Sequence, residues 1–201
     1  MTSHYIGPDG QPRCNWCGAA PEFLDYHDHE WGFPVDDDQR LFEKLCLESF
    51  QSGLSWRTIL AKREHFRDAF DQFDFHRVAR FSDKDVERLL QDEGIVRHRG
   101  KIEAVINNAR CAQELVKQEG SLSRYFWSFE PNPEALAEPQ TASTSEESIA
   151  LSKALKKMGW KFVGPTTVYA FMQAMGLIND HSEGCSIRNT VEQERSRFKR
   201  P

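Results

Sequence analysis

Along most of the chain, apolar residues recur at three- and four-residue spacing, and polar residues that can cap helices mark where each run begins. In "DDDQRLFEKLCLES" the acids precede Leu41, Phe42, Leu45 and Cys46, a helical stripe with an acidic first turn. "SWRTILAKREHFRDAF" is expected to open on Ser55 as N-cap and to bury Ile59, Phe66 and Phe70. In "SDKDVERLL", Ser82 and Asp85 have the spacing of a capping box, with Asp in place of Glu. "KIEAVINNARCAQELV" carries Ile102, Val105, Ile106, Ala109 and Leu115 at helical period. Residues 131–145, with three prolines and little apolar material, read as a loop. Two further helices follow, "SEESIALSKALKKM" and "PTTVYAFMQAMG", the latter with Pro165 near its first turn and Gly176 near its end. No strand pair with a two-residue turn and no internal repeat stands out. The pattern predicts an all-α fold.

At 201 residues and 39% hydrophobic, the chain can build one substantial core or two small lobes. The opening "MTSHYIGPDGQPR" lacks an apolar stretch of the signal-peptide kind, and "VYAFMQAMGLI" falls short of the roughly 20 residues that cross a bilayer. The five cysteines are an odd number, which favours metal ligation or burial over a disulfide framework. A cytoplasmic protein with no membrane partner is expected.

The net charge of −5 argues mildly against a nucleic-acid partner, but its distribution changes the picture. Segments 95–102 ("IVRHRGKI") and 152–161 ("SKALKKMGWK") carry basic residues and no acid, and "RSRFKR" adds four more near the end. The first lies in "LLQDEGIVRHRGKIEAV", a helix, a break at Gly94, and Gly100-Lys101 leading into a second helix. Such a hairpin can aim backbone N–H groups and a helix N-terminus at a phosphate, with Arg97, Arg99 and Lys101 adding charge. An ordinary interhelical turn with exposed basic residues has the same pattern. A second constellation joins distant segments: Cys14 and Cys17 form "CNWC", and "HSEGC" places His181 and Cys185 four apart, a four-ligand set for tetrahedral zinc. His27 and His29, in "YHDHEWG", make six candidates for four positions.

These segments, together with "LFEKLCLES", "QSGLSWRTIL", "GIVRHRGKIEAVINNA" and "SKALKKMGWKFVGPTTVYAFMQAMGLINDH", resemble in order and spacing the DNA-3-methyladenine glycosylase I family, from about Cys14 to Cys185. The resemblance implies a helix-hairpin-helix glycosylase fold over residues 14–185, two helical lobes around a base pocket, with 1–13 and 186–201 as flexible tails. It implies one structural zinc per chain on Cys14, His27, His181 and Cys185, tying the N- and C-terminal segments together. Cys17 departs from the family pattern and keeps the C-x2-C alternative open; His29 is not expected to be a ligand.

The implied substrate is alkylated double-stranded DNA, and the product free 3-methyladenine. An adenine methylated at N3 is cationic and already a good leaving group, so the main demands are extruding it from the stack and discriminating it from normal adenine. Aromatic faces and a carboxylate favour a cation. By the resemblance Glu48 is the pocket carboxylate and Trp56, Tyr26, Phe23, Trp31 and Trp16 are pocket aromatics, Phe23 standing where tyrosine is frequent. Gly53 and Leu54 in "FQSGLS" match the element that fills the gap in the DNA, Leu54 as an apolar wedge. Phe50 is bulky for its position and is expected to alter the wedge or the pocket rim. Residues 101–116 hold no aspartate to activate water and no lysine is placed as a Schiff-base nucleophile, so a monofunctional hydrolase, acting as a monomer without lyase activity, is expected. The alternative is a catalytically weak, zinc-stapled DNA-binding or damage-sensing module of the same fold.

Overall fold

The computed structural model describes residues 4–201. The helices are α1 (Glu22–His29), α2 (Asp38–Gln51), α3 (Trp56–Ala61), α4 (Arg63–Ala69), α5 (Phe75–Val78), α6 (Asp83–Leu90), α7 (Arg99–Glu119), α8 (Leu122–Trp127), α9 (Glu146–Lys157), α10 (Pro165–Ala174) and α11 (Arg188–Arg197). A two-stranded antiparallel ribbon, β1 (Tyr5–Ile6) and β2 (Pro12–Arg13), precedes them. The all-α expectation holds, and α2 forms the centre. Every residue from Leu41 to Phe50 is buried, so this helix is covered on all sides, by α10 and α7 and α8 among others.

The caps sit where the pattern placed them. Asp37 accepts from Arg40 N at 2.8 Å to start α2, and Ser55 accepts from Thr58 N at 3.2 Å to start α3. Ser82 N donates to Asp85 at 2.8 Å in the capping box of α6. The stretch from Trp56 to Phe70 is not one helix, however. It breaks at Lys62 into α3 and α4, and the Lys62 ammonium turns away to the carbonyls of Glu93 and Gly94 at 2.8 and 3.3 Å. Residues 131–145 form a loop containing one short 3-10 turn, Pro133–Ala135.

Of the end segments expected as flexible tails, residues 4–13 and 186–201 are built into the fold, and residues 1–3 lie outside the described residues. Arg13, almost fully buried, is held between Asp9 and Asp28, and Ser186 N donates to Pro12 O at 2.8 Å, so the two ends meet. α11 buries Val191 and Arg195; Arg195 donates to Gly176 O and, at 3.0 Å, to Glu130, while Phe198 packs on Trp127 at 4.5 Å between ring centroids. The sparse apolar content of 186–201 concealed this, because α11 docks chiefly through charge. Arg195→Ala should therefore destabilise the chain by about 2–3 kcal/mol, the range for charged hydrogen bonds removed from a buried site, and lower the thermal midpoint by roughly 4–12 °C. An unchanged midpoint in calorimetry would mean that α11 adds nothing to the fold.

Candidate base pocket and metal centre

α1 and α2 lie on either side of one cavity. The inner face of α1 supplies Phe23 and Tyr26, the short 3-10 segment before it supplies Trp16, and the turn after it Trp31; α3 begins with Trp56. These five aromatics, with Glu48 and Gln51 of α2, line a cavity of about 340 Å³. Trp16 meets Trp31 and Phe23 edge to face, at 5.1 and 5.7 Å between centroids, and Tyr26 lies tilted at 5.4 Å from Trp56. The volume and the apolar lining suit a flat heterocycle.

The polar groups of this pocket are few and fixed. Glu48 is only 6% exposed, and Lys44, one helical turn earlier on α2, places its ammonium 2.8 Å from Glu48 Oε1. Lys44 also donates to Tyr26 Oη at 2.7 Å and lies 3.4 Å from the centroid of the Trp56 ring. Burial pulls the Lys44 amine below its ordinary value, opposed by the Glu48 carboxylate. Burial, reinforced by Glu48 and Glu30, pushes the Tyr26 phenol well above its own. Trp56 Nε1 is buried without a hydrogen-bond partner. Across the cavity stand Gln140, Gln173 and Asp180; Asp180 accepts from Gln140 N at 2.9 Å and Gln173 Nε2 at 2.6 Å, and burial raises its carboxyl against those bonds.

Behind α1 the thiols and imidazoles of both chain ends converge. The ligand atoms of Cys14, His27 and Cys185 all lie within 4.8 Å of one another, and Cys185 Sγ is 3.6 Å from His27 Nε2. His181, fully buried, packs its ring 4.8 Å from that of His27 and leaves Nε2 without a partner. Outer bonds orient both imidazoles: His27 Nδ1 is 2.7 Å from Asp28 Oδ1, and His181 Nδ1 is 3.1 Å from Asn179 Oδ1. Cys17 groups separately with His27 and Asp28. His29 projects to solvent beside Asp25.

A family model described as methyladenine glycosylase matches residues 16–189. The chain belongs to the methyladenine glycosylase family. Over 177 residues it is 49% identical to DNA-3-methyladenine glycosylase 1 of Escherichia coli K12, covering 86% of this chain and 95% of that protein. A crystal structure of 3-methyladenine DNA glycosylase I superposes with a TM-score of 0.82 at 48% identity, covering 87% of this chain and 98% of that one. A structure addressing 3-methyladenine recognition by the Staphylococcus aureus glycosylase superposes at 0.80 with 39% identity, over 84% and 92% of the two chains.

Against the family expectations, the structure brings Glu48 and all five aromatics to one cavity, and sets Leu54 at 42% exposure beside Gly53, whose φ of +79° favours glycine. Phe50 does not reach the wedge or the rim: it is fully buried against Phe66, 4.6 Å between centroids. Between α6 and α7 the turn at Gly94 leaves no room for a side chain, since a Cβ there would lie 2.9 Å from His65. Arg97 and Arg99 are exposed, loosely paired with Glu93 at 3.6 Å and closely with Glu87 at 2.5 Å, and Gly100 lies in the first turn of α7.

Lys101 departs from its expected place at a phosphate. It is buried, and its ammonium donates to Phe50 O at 2.8 Å and Ser52 O at 2.5 Å, so it caps the C-terminal carbonyls of α2 and ties the hairpin to the Gly53–Leu54 loop. Nothing in the residue pattern signals this, because a basic residue inside a basic run looks solvated. Lys44 and Asp180 are equally inconspicuous; the one available sign is that Lys44 and Glu48 are four apart in an otherwise apolar stripe.

Arg97→Ala and Arg99→Ala should each flatten the salt dependence of DNA binding, by about 0.9 log units per log salt for each phosphate left unneutralised. Lys101→Met should leave that slope unchanged and lower the thermal midpoint instead. A flattened slope in Lys101→Met with unchanged stability would put this lysine back on the DNA.

Proposed function

We propose that the chain excises 3-methyladenine from alkylated duplex DNA by extruding the damaged nucleotide and hydrolysing its N-glycosidic bond. The observation that carries this reading is the buried Glu48 carboxylate at the wall of a five-ring aromatic cavity in a member of the methyladenine glycosylase family. Its support from relatives is that the E. coli protein is named for this activity and the S. aureus protein recognises 3-methyladenine.

In this mechanism the exposed Leu54 enters the stack vacated by the flipped nucleotide, while Arg97, Arg99 and the N-terminus of α7 hold the backbone. The base slides between the rings, and Trp56 and Tyr26 provide stacking surface. Glu48 accepts from the exocyclic amine and stabilises positive charge as the glycosidic bond lengthens. The N3-methylated base needs no proton to leave, so a dedicated general acid is unnecessary. Among the described residues no lysine lines the cavity, and the buried lysines Lys44 and Lys101 are both engaged, which supports hydrolysis without strand-cleaving lyase chemistry.

The test is release of free base from methylated duplex DNA, followed by chromatography. The unaltered chain should liberate 3-methyladenine, and Glu48→Gln should be at least about tenfold slower, corresponding to about 1.4 kcal/mol of transition-state stabilisation, while still binding an abasic-site duplex. A chain that releases no base yet binds abasic DNA would be the damage-sensing module instead.

The Cys/His cluster fits a structural zinc, held by Cys14, His27, His181 and Cys185: two thiols and two oriented imidazoles, one with a buried nitrogen lacking any other partner. Bound there, zinc would staple the segment before α1 to the one before α11 and so fix the wall that carries Tyr26 and Trp31. Elemental analysis should give about one zinc per chain, lost together with stability in Cys14→Ser and retained in Cys17→Ser. Loss in Cys17→Ser with retention in His27→Ala would favour the C-x2-C pair.

A further inference from the structure

The turn from Gly159 to Gly164, between α9 and α10, presents a bulky ring to solvent from a backbone conformation that such a residue disfavours. Phe162 is 41% exposed and has a φ of +56°, in the left-handed region where a side chain crowds its own backbone. A single exposed apolar residue is ordinary on a protein surface. This one is held there by its neighbours. The carbonyls of Gly159 and Lys161 accept from Asn107 and Asn108 of α7 at 2.8 and 2.9 Å. That of Phe162 accepts from Ser49 of α2 at 2.9 Å, and that of Val163 from Ser152 of α9 at 2.6 Å. Lys161 N donates back to Asn108 at 2.8 Å, and Trp160 is buried. Three helices fix the turn and leave the Phe162 ring outside, the kind of over-determined strain that collects at functional positions.

The surroundings of the ring indicate what it meets. On one side is the N-terminus of α7: the ring lies 6.4 Å from that of His98, which caps this helix, and a Cβ at Gly100 would lie 3.9 Å from Phe162 Cζ. On the other side Thr166 and Thr167, just past the turn, line a surface cavity together with Gly53 and Leu54. In the excision reading, the turn thus stands between the helix end that holds the DNA backbone and the loop that enters the stack.

Charge continues the same surface. Lys153, Lys156, Lys157 and Lys161 are exposed, and among the described residues none of them forms an ion pair, whereas Arg97 and Arg99 face Glu93 and Glu87. In a chain of net charge −5, unpaired lysines that run up to a phosphate-directed helix end match a polyanion. We propose that the α9–α10 turn is a further DNA-contact surface: the Phe162 ring packs against a deoxyribose beside the phosphate held by the N-terminus of α7, and Lys161 and Lys157 neutralise the phosphates that follow. The sugar is the apolar part of a strand and the phosphate its charged part, so a ring flanked by lysines matches that repeat. Such contacts carry no sequence information and add affinity on every duplex. This inference rests on the excision reading and extends it beyond the base pocket.

The experiment measures affinity for an abasic-site duplex over a range of salt, affinity for free 3-methyladenine, and the thermal midpoint. Phe162→Asn removes the ring and keeps a residue that tolerates left-handed backbone; Phe162→Gly does the same without any side chain, and reports if the first variant does not fold. Both should bind the duplex at least about fivefold more weakly, equivalent to about 1 kcal/mol, with the salt slope, the free-base affinity and the midpoint unchanged. Lys157→Met and Lys161→Met should each flatten the slope by about 0.9 log units per log salt. Lys117→Met, which removes an exposed lysine of α7 paired with Glu114, should not. Unchanged duplex affinity in the ring variants overturns the proposal and leaves excision intact, whatever the lysine variants do. Weaker duplex binding accompanied by a lower midpoint and weaker free-base binding would make Phe162 a structural residue, and overturns it too. An unaltered chain that binds no duplex and releases no base overturns the excision reading, and this inference with it.

Discussion

A helix buried on every side leaves no solvent for its charged residues, and α2 carries Glu43, Lys44 and Glu48 into the interior. Each buried charge must find a partner or be neutralised, because desolvating an isolated ion costs several kcal/mol. The neighbours of α2 meet that demand: Arg67 of α4 turns inward to Glu43, Lys44 and Glu48 satisfy each other across one turn, and Lys101 of α7 reaches the carbonyls at the end of the helix. The pocket, the hairpin and the Gly53–Leu54 loop are thus attached to one element by charge. That arrangement gives geometric specificity at a stability cost relative to an apolar core of the same shape.

The second organising feature is the meeting of the chain ends. α1 supplies two of the five wall aromatics on only eight residues, too short to be stable in isolation. It is held from behind by the Cys14, His27, His181 and Cys185 cluster and by the Arg13–Asp28 pair, and from the side by the ion pair between Arg57 and Glu22. The same residue run therefore faces two ways: Tyr26 and Trp31 reach the cavity, while His27 between them points to the cluster. The density of "YHDHEWG" in ligating and stacking groups comes from serving two sites across one helical turn.

Much of this was legible in the sequence, for identifiable reasons. Caps at Asp37, Ser55 and Ser82 act through local backbone geometry, so short-range pattern locates them. The aromatics and Glu48 are legible through resemblance; their periodicity alone reads as core, which for a largely buried wall they also are. What could not be read depended on distant partners. Lys101 looks like part of a basic surface run until its acceptors, fifty residues earlier, are in view. α11 looks like a tail because its docking uses Arg195 rather than an apolar stripe, and the break at Lys62 falls where that side chain reaches the hairpin carbonyls. Lys44 is invisible in the pattern because its role is set by Tyr26 and Trp56 on other elements.

The proposed excision places the damaged base in the aromatic cavity beside Glu48. A crystal structure of the chain soaked with 3-methyladenine tests this most directly. The expected result is the base inside this cavity, its exocyclic amine toward Glu48 and one face against Trp56 or Tyr26, with Lys44 still bonded behind the rings. A base bound at full occupancy elsewhere, with the cavity beside Glu48 filled only by water, would contradict it.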